Sequence, residues 1–105
     1  MSFIFVYTTF GTQENAKVVA KALVEAKLVS CANIFPAIES VYSWEGAVQN
    51  DQEIVVIFKT QEALFPSVRD KILELHDYDT PCIVSLPIEK GHQPFLDWIE
   101  KETSN

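Results

Sequence analysis

Three runs of this chain, Phe3–Thr9, Glu53–Thr60 and Pro81–Ile88, carry apolar residues at consecutive positions instead of at every second one. Successive side chains of a strand point to opposite faces, so a run of this kind is expected to be buried on both. A sheet with one face in water would alternate apolar with polar residues; VVIF and CIVSL do not. Whatever covers the first face of this sheet, the second needs cover as well.

Between the runs lie two helical stripes. Ala16, Val19, Ala20, Leu23 and Val24 recur at helical spacing, which predicts a helix over Gln13–Lys27 with Thr12 as its N-cap. Leu64, Val68, Ile72 and Leu75 form the second stripe. Pro66 is tolerated only in a first turn, so that helix is expected to start near Gln61, and His76 ends its periodicity. The strand-like stretch Leu28–Trp44 contains Pro36, the mark of an edge strand or a bulge. Glu45-Gly46 is a turn signal, and a long hairpin then joins this stretch to Glu53–Thr60. Pro94 and the residues FLDWIEK predict a short terminal helix. The order is β-α-β-β-α-β plus a tail helix. That is an α+β, ferredoxin-like sandwich whose four-stranded sheet takes both main helices on one face. All 105 residues are expected in this single domain. The other face is left to the tail helix or to further copies of the chain, and an apolar patch of that size predicts self-association.

Composition excludes more than it assigns. Fifteen acidic residues against eight basic ones give a charge of −7 and a pI near 4.6. Nucleic-acid binding requires a basic footprint, and here the lysines are scattered and Arg69 is the only arginine. The first residues, MSFIFVYTTF, have neither the basic segment nor the cleavage site of a signal peptide, and they are too short to span a bilayer. No membrane association and a cytoplasmic setting are therefore expected. Cys31 and Cys82 read as buried, unpaired thiols, with a disulfide or metal ligation as the alternatives.

Several short motifs fall in order along the chain: LVSCANI at Leu28–Ile34, then Ser40-Val41-Tyr42-Ser43-Trp44-Glu45-Gly46, then Glu53 followed by Lys59-Thr60. The loop from His76 through Tyr78 to Pro81 and the tail Phe95-Leu96-Asp97-Trp98-Ile99 complete the series. Together they resemble the motifs of the CutA family over nearly the whole chain. The resemblance implies a ferredoxin-like fold assembled as a tight homotrimer, with extended hairpins running between subunits. It also implies a non-enzymatic role in the response or tolerance to divalent metal ions, with weak binding of Cu(II) or another divalent cation. The chain departs from the family in one loop, where Asp77 replaces a usual Pro and Cys82 a usual Glu. Some metal-binding members carry a cysteine on the first strand where this chain has Tyr7 and Thr8. The roles of that Glu and that thiol do not carry over.

The candidate site residues each have more than one reading. His76 has three readings: a cap or packed residue at the helix C-terminus, a residue lining a cleft between subunits, or a metal ligand joined by Asp79 or Cys82. No H-x3-H or C-x2-C spacing supports a metal site. Tyr42 and Trp44 share a face of the hairpin and read as interface anchors ahead of ligand-stacking groups. Glu53 and Lys59 lie on one strand, are read as facing opposite sides of it, and are not expected to pair along it. They belong either to a polar cluster between subunits, with Tyr78 in the same cleft, or to separate surface ion pairs. The alternative function is a sensor similar to the PII signalling proteins, binding a nucleotide or another anion in clefts between subunits. It lacks a Gly-rich phosphate loop, and Lys59 and Lys90 are sparse counter-charges. A hydrolase or transferase ranks last for want of a paired acid and base.

Overall fold

The computed structural model describes residues 1–104. Strand β1 spans Phe3–Phe10, helix α1 Gln13–Glu25, β2 Cys31–Trp44 and β3 Ala47–Gln61. A 3-10 turn at Glu62–Leu64 leads into α2, Phe65–Leu75; β4, Ile83–Ile88, and α3, Gln93–Glu102, follow. The sheet order is β2-β3-β1-β4 and every neighbouring pair is antiparallel. Each main helix therefore crosses over a strand that pairs between its two flanking strands, as the expected α+β, ferredoxin-like arrangement requires.

Local chemistry sets the element ends. The Thr12 hydroxyl accepts a hydrogen bond from the Asn15 N–H at 3.1 Å, the N-cap read from the sequence. At the other end of α1, Lys27 takes a left-handed conformation with φ 59°, which lets the Leu28 N–H reach the Leu23 carbonyl at 3.1 Å. Pro66 sits in the first turn of α2, where its missing N–H costs nothing. The hairpin closes through Glu45 and Gly46, both at positive φ (48° and 78°), the turn whose twist matches that of its strands. Pro36 does mark a bulge: the pairing steps from Phe35↔Val55 to Ile38↔Glu53. The hairpin is longer than expected, because the polar stretch Gln49–Gln52 also pairs with β2. Its residues lack apolar patterning since the ribbon leaves the sandwich, giving a molecule 44 Å long and 25 × 23 Å across.

The two faces of the sheet differ sharply. Ile4, Val6, Thr8 and Phe10 of β1 lie opposite Thr60, Phe58, Val56 and Ile54 of β3, and all are buried under the helices. Ala16, Val19 and Leu23 of α1 and Val68 and Ile72 of α2 close that core. On the other face, α3 covers one end only. Ile99 is fully buried there, and the Gln61 amide donates to the Thr103 hydroxyl at 2.7 Å. Beyond the helix, Phe35 (44% exposed), Val84 (49%) and Leu86 (49%) are left without cover in the chain. The tail helix thus supplies only part of the cover that the sequence demanded. The same geometry corrects the reading of the cysteines. Both are free, but Cys31 is half-buried and Cys82 exposed; Cys31 stands on the face without main helices, and Cys82 precedes β4 at its rim.

Candidate functional site

A pocket of about 360 Å³ opens where the hairpin meets the loop between α2 and β4. Tyr42 and Trp44 on β2 and Glu53 on β3 form one wall, and Tyr78, Asp79 and Cys82 of the loop form the other. Thr9 and Thr80 complete it. Four of the five residues expected in a cleft therefore come together, and no lysine or arginine lines it.

Hydrogen bonds fix the walls. The Tyr78 hydroxyl donates to Glu53 Oε2 at 2.9 Å, tying the loop to the sheet. The Tyr42 hydroxyl donates to Asp51 Oδ2 at 2.5 Å across the hairpin. Burial first, then the Glu53 carboxylate, drives the Tyr78 phenol far above its ordinary value. The hydrogen bond to Asp51 is the main cause raising that of Tyr42. Both phenols keep their protons. Burial, helped by Glu53, also pushes the Cys82 thiol up, so the thiolate is disfavoured.

His76 stands behind the pocket. It occupies the C-cap position of α2, as read from the sequence, but its ring turns inward. The imidazole stacks on Phe10, ring centroids 4.4 Å apart, and leans against Tyr78 at 4.8 Å. Nδ1 lies 3.0 Å from the Tyr78 N–H and accepts from it; Nε2 then carries the proton and donates to the Thr9 carbonyl at 2.7 Å. Burial lowers the imidazole's pKa, against the opposing pulls of the Thr9 carbonyl, Asp77 and Glu53. A neutral ring with both nitrogens engaged positions Tyr78 and leaves no lone pair free for a metal.

The donor set as a whole does not fit a metal ion within one chain. Asp79 and Cys82 line the pocket while His76 does not, and among the described residues no three His, Cys, Asp or Glu side chains gather closely enough to hold one. Lys59 is elsewhere. It shares a face with Glu53, since six residues is an even step along a strand, but sits about 20 Å further on. Its Nζ donates to Asn33 Oδ1 at 2.7 Å and lies 5.7 Å from the Phe5 ring and 5.6 Å from the Phe95 ring, which pins α3. Its distance from Glu53, and not its face, keeps the two from pairing.

Three supporting residues escaped the sequence reading. Asp51 was readable: a turn at Glu45-Gly46 places Tyr42 opposite Gln49 and diagonal to Asp51. Asn15 binds both the Leu75 carbonyl (3.1 Å) and the Asp77 N–H (3.2 Å), holding the loop to α1 across a separation no local pattern reveals. Gly11 leaves room for Tyr78, whose hydroxyl would lie 3.2 Å from any Cβ there.

These features define a ferredoxin-like domain with a long, protruding hairpin and an aromatic, carboxylate-lined pocket at its base. Residues 4–102 match the family described as CutA1 divalent ion tolerance protein, and the chain belongs to that family. It is 42% identical over 98 residues to the divalent-cation tolerance protein CutA of Thermus thermophilus, covering 93% of this chain and 95% of that one. It is 41% identical over 102 residues to the chloroplastic protein CutA of Arabidopsis thaliana, covering 97% of this chain and 56% of the longer relative. The structure of the periplasmic divalent cation tolerance protein CutA from Archaeoglobus fulgidus superposes with a TM-score of 0.95 at 42% identity, covering 97% of this chain and 99% of that one. Relatives are thus named for a chloroplast and a periplasm as well. Among the described residues, no helix is long and apolar enough to cross a membrane.

Proposed function

We propose that the protein acts in tolerance of divalent metal ions as a non-catalytic homotrimer, with the pocket at the hairpin base lying in the clefts between subunits. The observation that carries the assembly is the bare sheet face. Phe35, Val84 and Leu86, with Tyr42 and Trp44 on the hairpin, form an apolar surface that water should not meet in a domain of this size. Three copies is the number implied by the family resemblance. The absence of a catalytic role is supported by the site's chemistry: the His76 nitrogens are both hydrogen-bonded and the Cys82 thiol is held protonated. Free Cys31 and Cys82 accord with a reducing, cytoplasmic setting.

Direct Cu(II) binding through His76, Asp79 and Cys82 draws no support from the geometry of a single chain. The PII-like alternative is opposed by charge, because Glu53 and Asp79 line the pocket and would repel a nucleotide or another anion. Native mass spectrometry, alone and with Cu(II), tests the proposal. A trimer is expected, with no copper uptake that depends on His76. A monomer overturns the assembly, and stoichiometric copper lost in His76→Ala restores His76 as a ligand.

A further inference from the structure

We propose that the segment from His76 to Thr80 is a proton-operated latch: protonation of His76 releases Tyr78 from the hairpin base while the rest of the fold stays closed. Each contact in this device is made within one chain. It therefore goes beyond the metal-tolerance reading and does not depend on which surfaces a neighbouring copy covers.

The segment is held at two points of different chemistry. Asn15 fastens its beginning: the amide donates to the Leu75 carbonyl at 3.1 Å, and the side-chain oxygen accepts the Asp77 N–H at 3.2 Å. Asn15 does not titrate, so this hold is the same at every pH. The next residue is fastened through His76, whose Nδ1 accepts the Tyr78 N–H at 3.0 Å and whose ring lies 4.8 Å from that of Tyr78. From this seat the Tyr78 hydroxyl reaches Glu53 at 2.9 Å, over Gly11, where the missing side chain leaves it room. A second proton on the imidazole can enter only at Nδ1, because Nε2 already donates to the Thr9 carbonyl at 2.7 Å. It would set one donor against another at hydrogen-bond distance, and the pair must separate. Turning the ring over brings no relief, since both nitrogens of an imidazolium are donors. The hinge falls at Asp77, between the hold that persists and the hold that is lost. Two charged groups act on the ring, Asp77 beside it and Glu53 on β3, and both favour the proton. β1 presents the uncharged Phe10 and Thr9, and α1 reaches the segment through the uncharged Asn15. Burial among these groups outweighs the two carboxylates and keeps the ring neutral near pH 7.

The test follows the intact protein by NMR from pH 7.5 to 4.5. The His76 ring nitrogens report the charge, the Gly11 α-protons feel the ring current of Tyr78, and exchange of the Tyr78 amide reports its hydrogen bond. The Gly11 signals are expected to move towards their unfolded-chain positions with the same midpoint as the His76 nitrogens. The Tyr78 amide should lose at least about tenfold in protection, corrected for the intrinsic pH dependence of exchange, while the amides of Val6 and Val56 keep theirs. His76→Gln should abolish the response. Tyr78→Phe keeps the histidine and removes the tie to Glu53, so the midpoint should rise by about half a pH unit, because less is lost on release. This second variant carries the test if His76→Gln does not fold. A His76 ring that titrates without moving Gly11 or Tyr78 overturns the inference, and so does a ring still neutral at pH 4.5. Loss of Val6 and Val56 protection at the same midpoint overturns it too, since the event would then be global unfolding.

Discussion

The sandwich and the hairpin are built from the same kind of strand and meet opposite fates. In the sandwich, Val6, Val56 and Phe58 have no exposure, because α1 and α2 close over them. Along the hairpin every residue from Val41 to Val48 is exposed, although Val41, Tyr42, Trp44 and Val48 are as apolar as the core. Strand propensity is satisfied in both, so propensity does not separate them. What separates them is whether the same chain supplies a covering layer. The sandwich stabilises the monomer, and the hairpin holds apolar area in reserve for something outside it.

The strongest way to break this comparison is to truncate one side chain in each region. Phe58→Ala should cost about 3–5 kcal/mol, because it opens a cavity in a close-packed core. Val48→Ala should change unfolding stability by less than about 0.5 kcal/mol, since the residue is 78% exposed. Urea unfolding of both variants, read by circular dichroism, measures the difference. Comparable losses would mean that the hairpin is as much a part of the fold as the core is.

His76 joins the two regions, and its effect is intermediate. Its ring packs on Phe10 of the core, and its Nδ1 holds the loop whose Tyr78 reaches Glu53 at the hairpin base. His76→Gln should destabilise the protein by about 2 kcal/mol at pH 7.5 through the lost hydrogen bonds. The pH dependence follows from its lowered pKa. The unfolded chain takes up a proton near the ordinary value of 6.5 and the folded one does so only lower. Stability from this residue is therefore complete above pH 6.5 and is lost as the pH falls through the folded value. Protonation also removes the lone pair that accepts the Tyr78 N–H. Unfolding midpoints between pH 7.5 and 5 should fall for the parent protein and lose that component in His76→Gln; parallel curves would remove His76 from the account.

The limits of the sequence reading follow the same division. Short-range rules reached the Thr12 cap, the Pro36 bulge, the Glu45-Gly46 turn and the first turn of α2, because each depends on residues a few positions apart. The double-sided apolar strands announced the need for a second cover before any coordinates did. Interactions over long separations were not legible. The Asn15 clamp on the Leu75–Asp77 segment spans about sixty residues, and the inward turn of His76 depends on where Phe10 lies. The partners of Lys59, Asn33 and the rings of Phe5 and Phe95, come from three other elements and lie equally beyond any local pattern.

A finer contrast lies inside the sandwich, where two threonines on the helix-covered face offer a matched pair. Thr8 and Thr60 are both without exposure. The Thr60 hydroxyl donates to the Leu28 carbonyl at 2.6 Å, whereas that of Thr8 makes no hydrogen bond among the described residues. An unpaired buried hydroxyl costs free energy on folding, and a methyl group of the same shape does not. Thr8→Val should therefore stabilise the protein by about 1 kcal/mol. Thr60→Val, which strands the Leu28 carbonyl, should destabilise it by a similar amount. Urea unfolding of the two variants under one set of conditions reads the signs directly. Opposite signs show that the helix-covered face is as dry as the core argument requires; a loss in both would mean that Thr8 has a partner there and that this half of the comparison is less sealed than the hairpin's exposure makes it look.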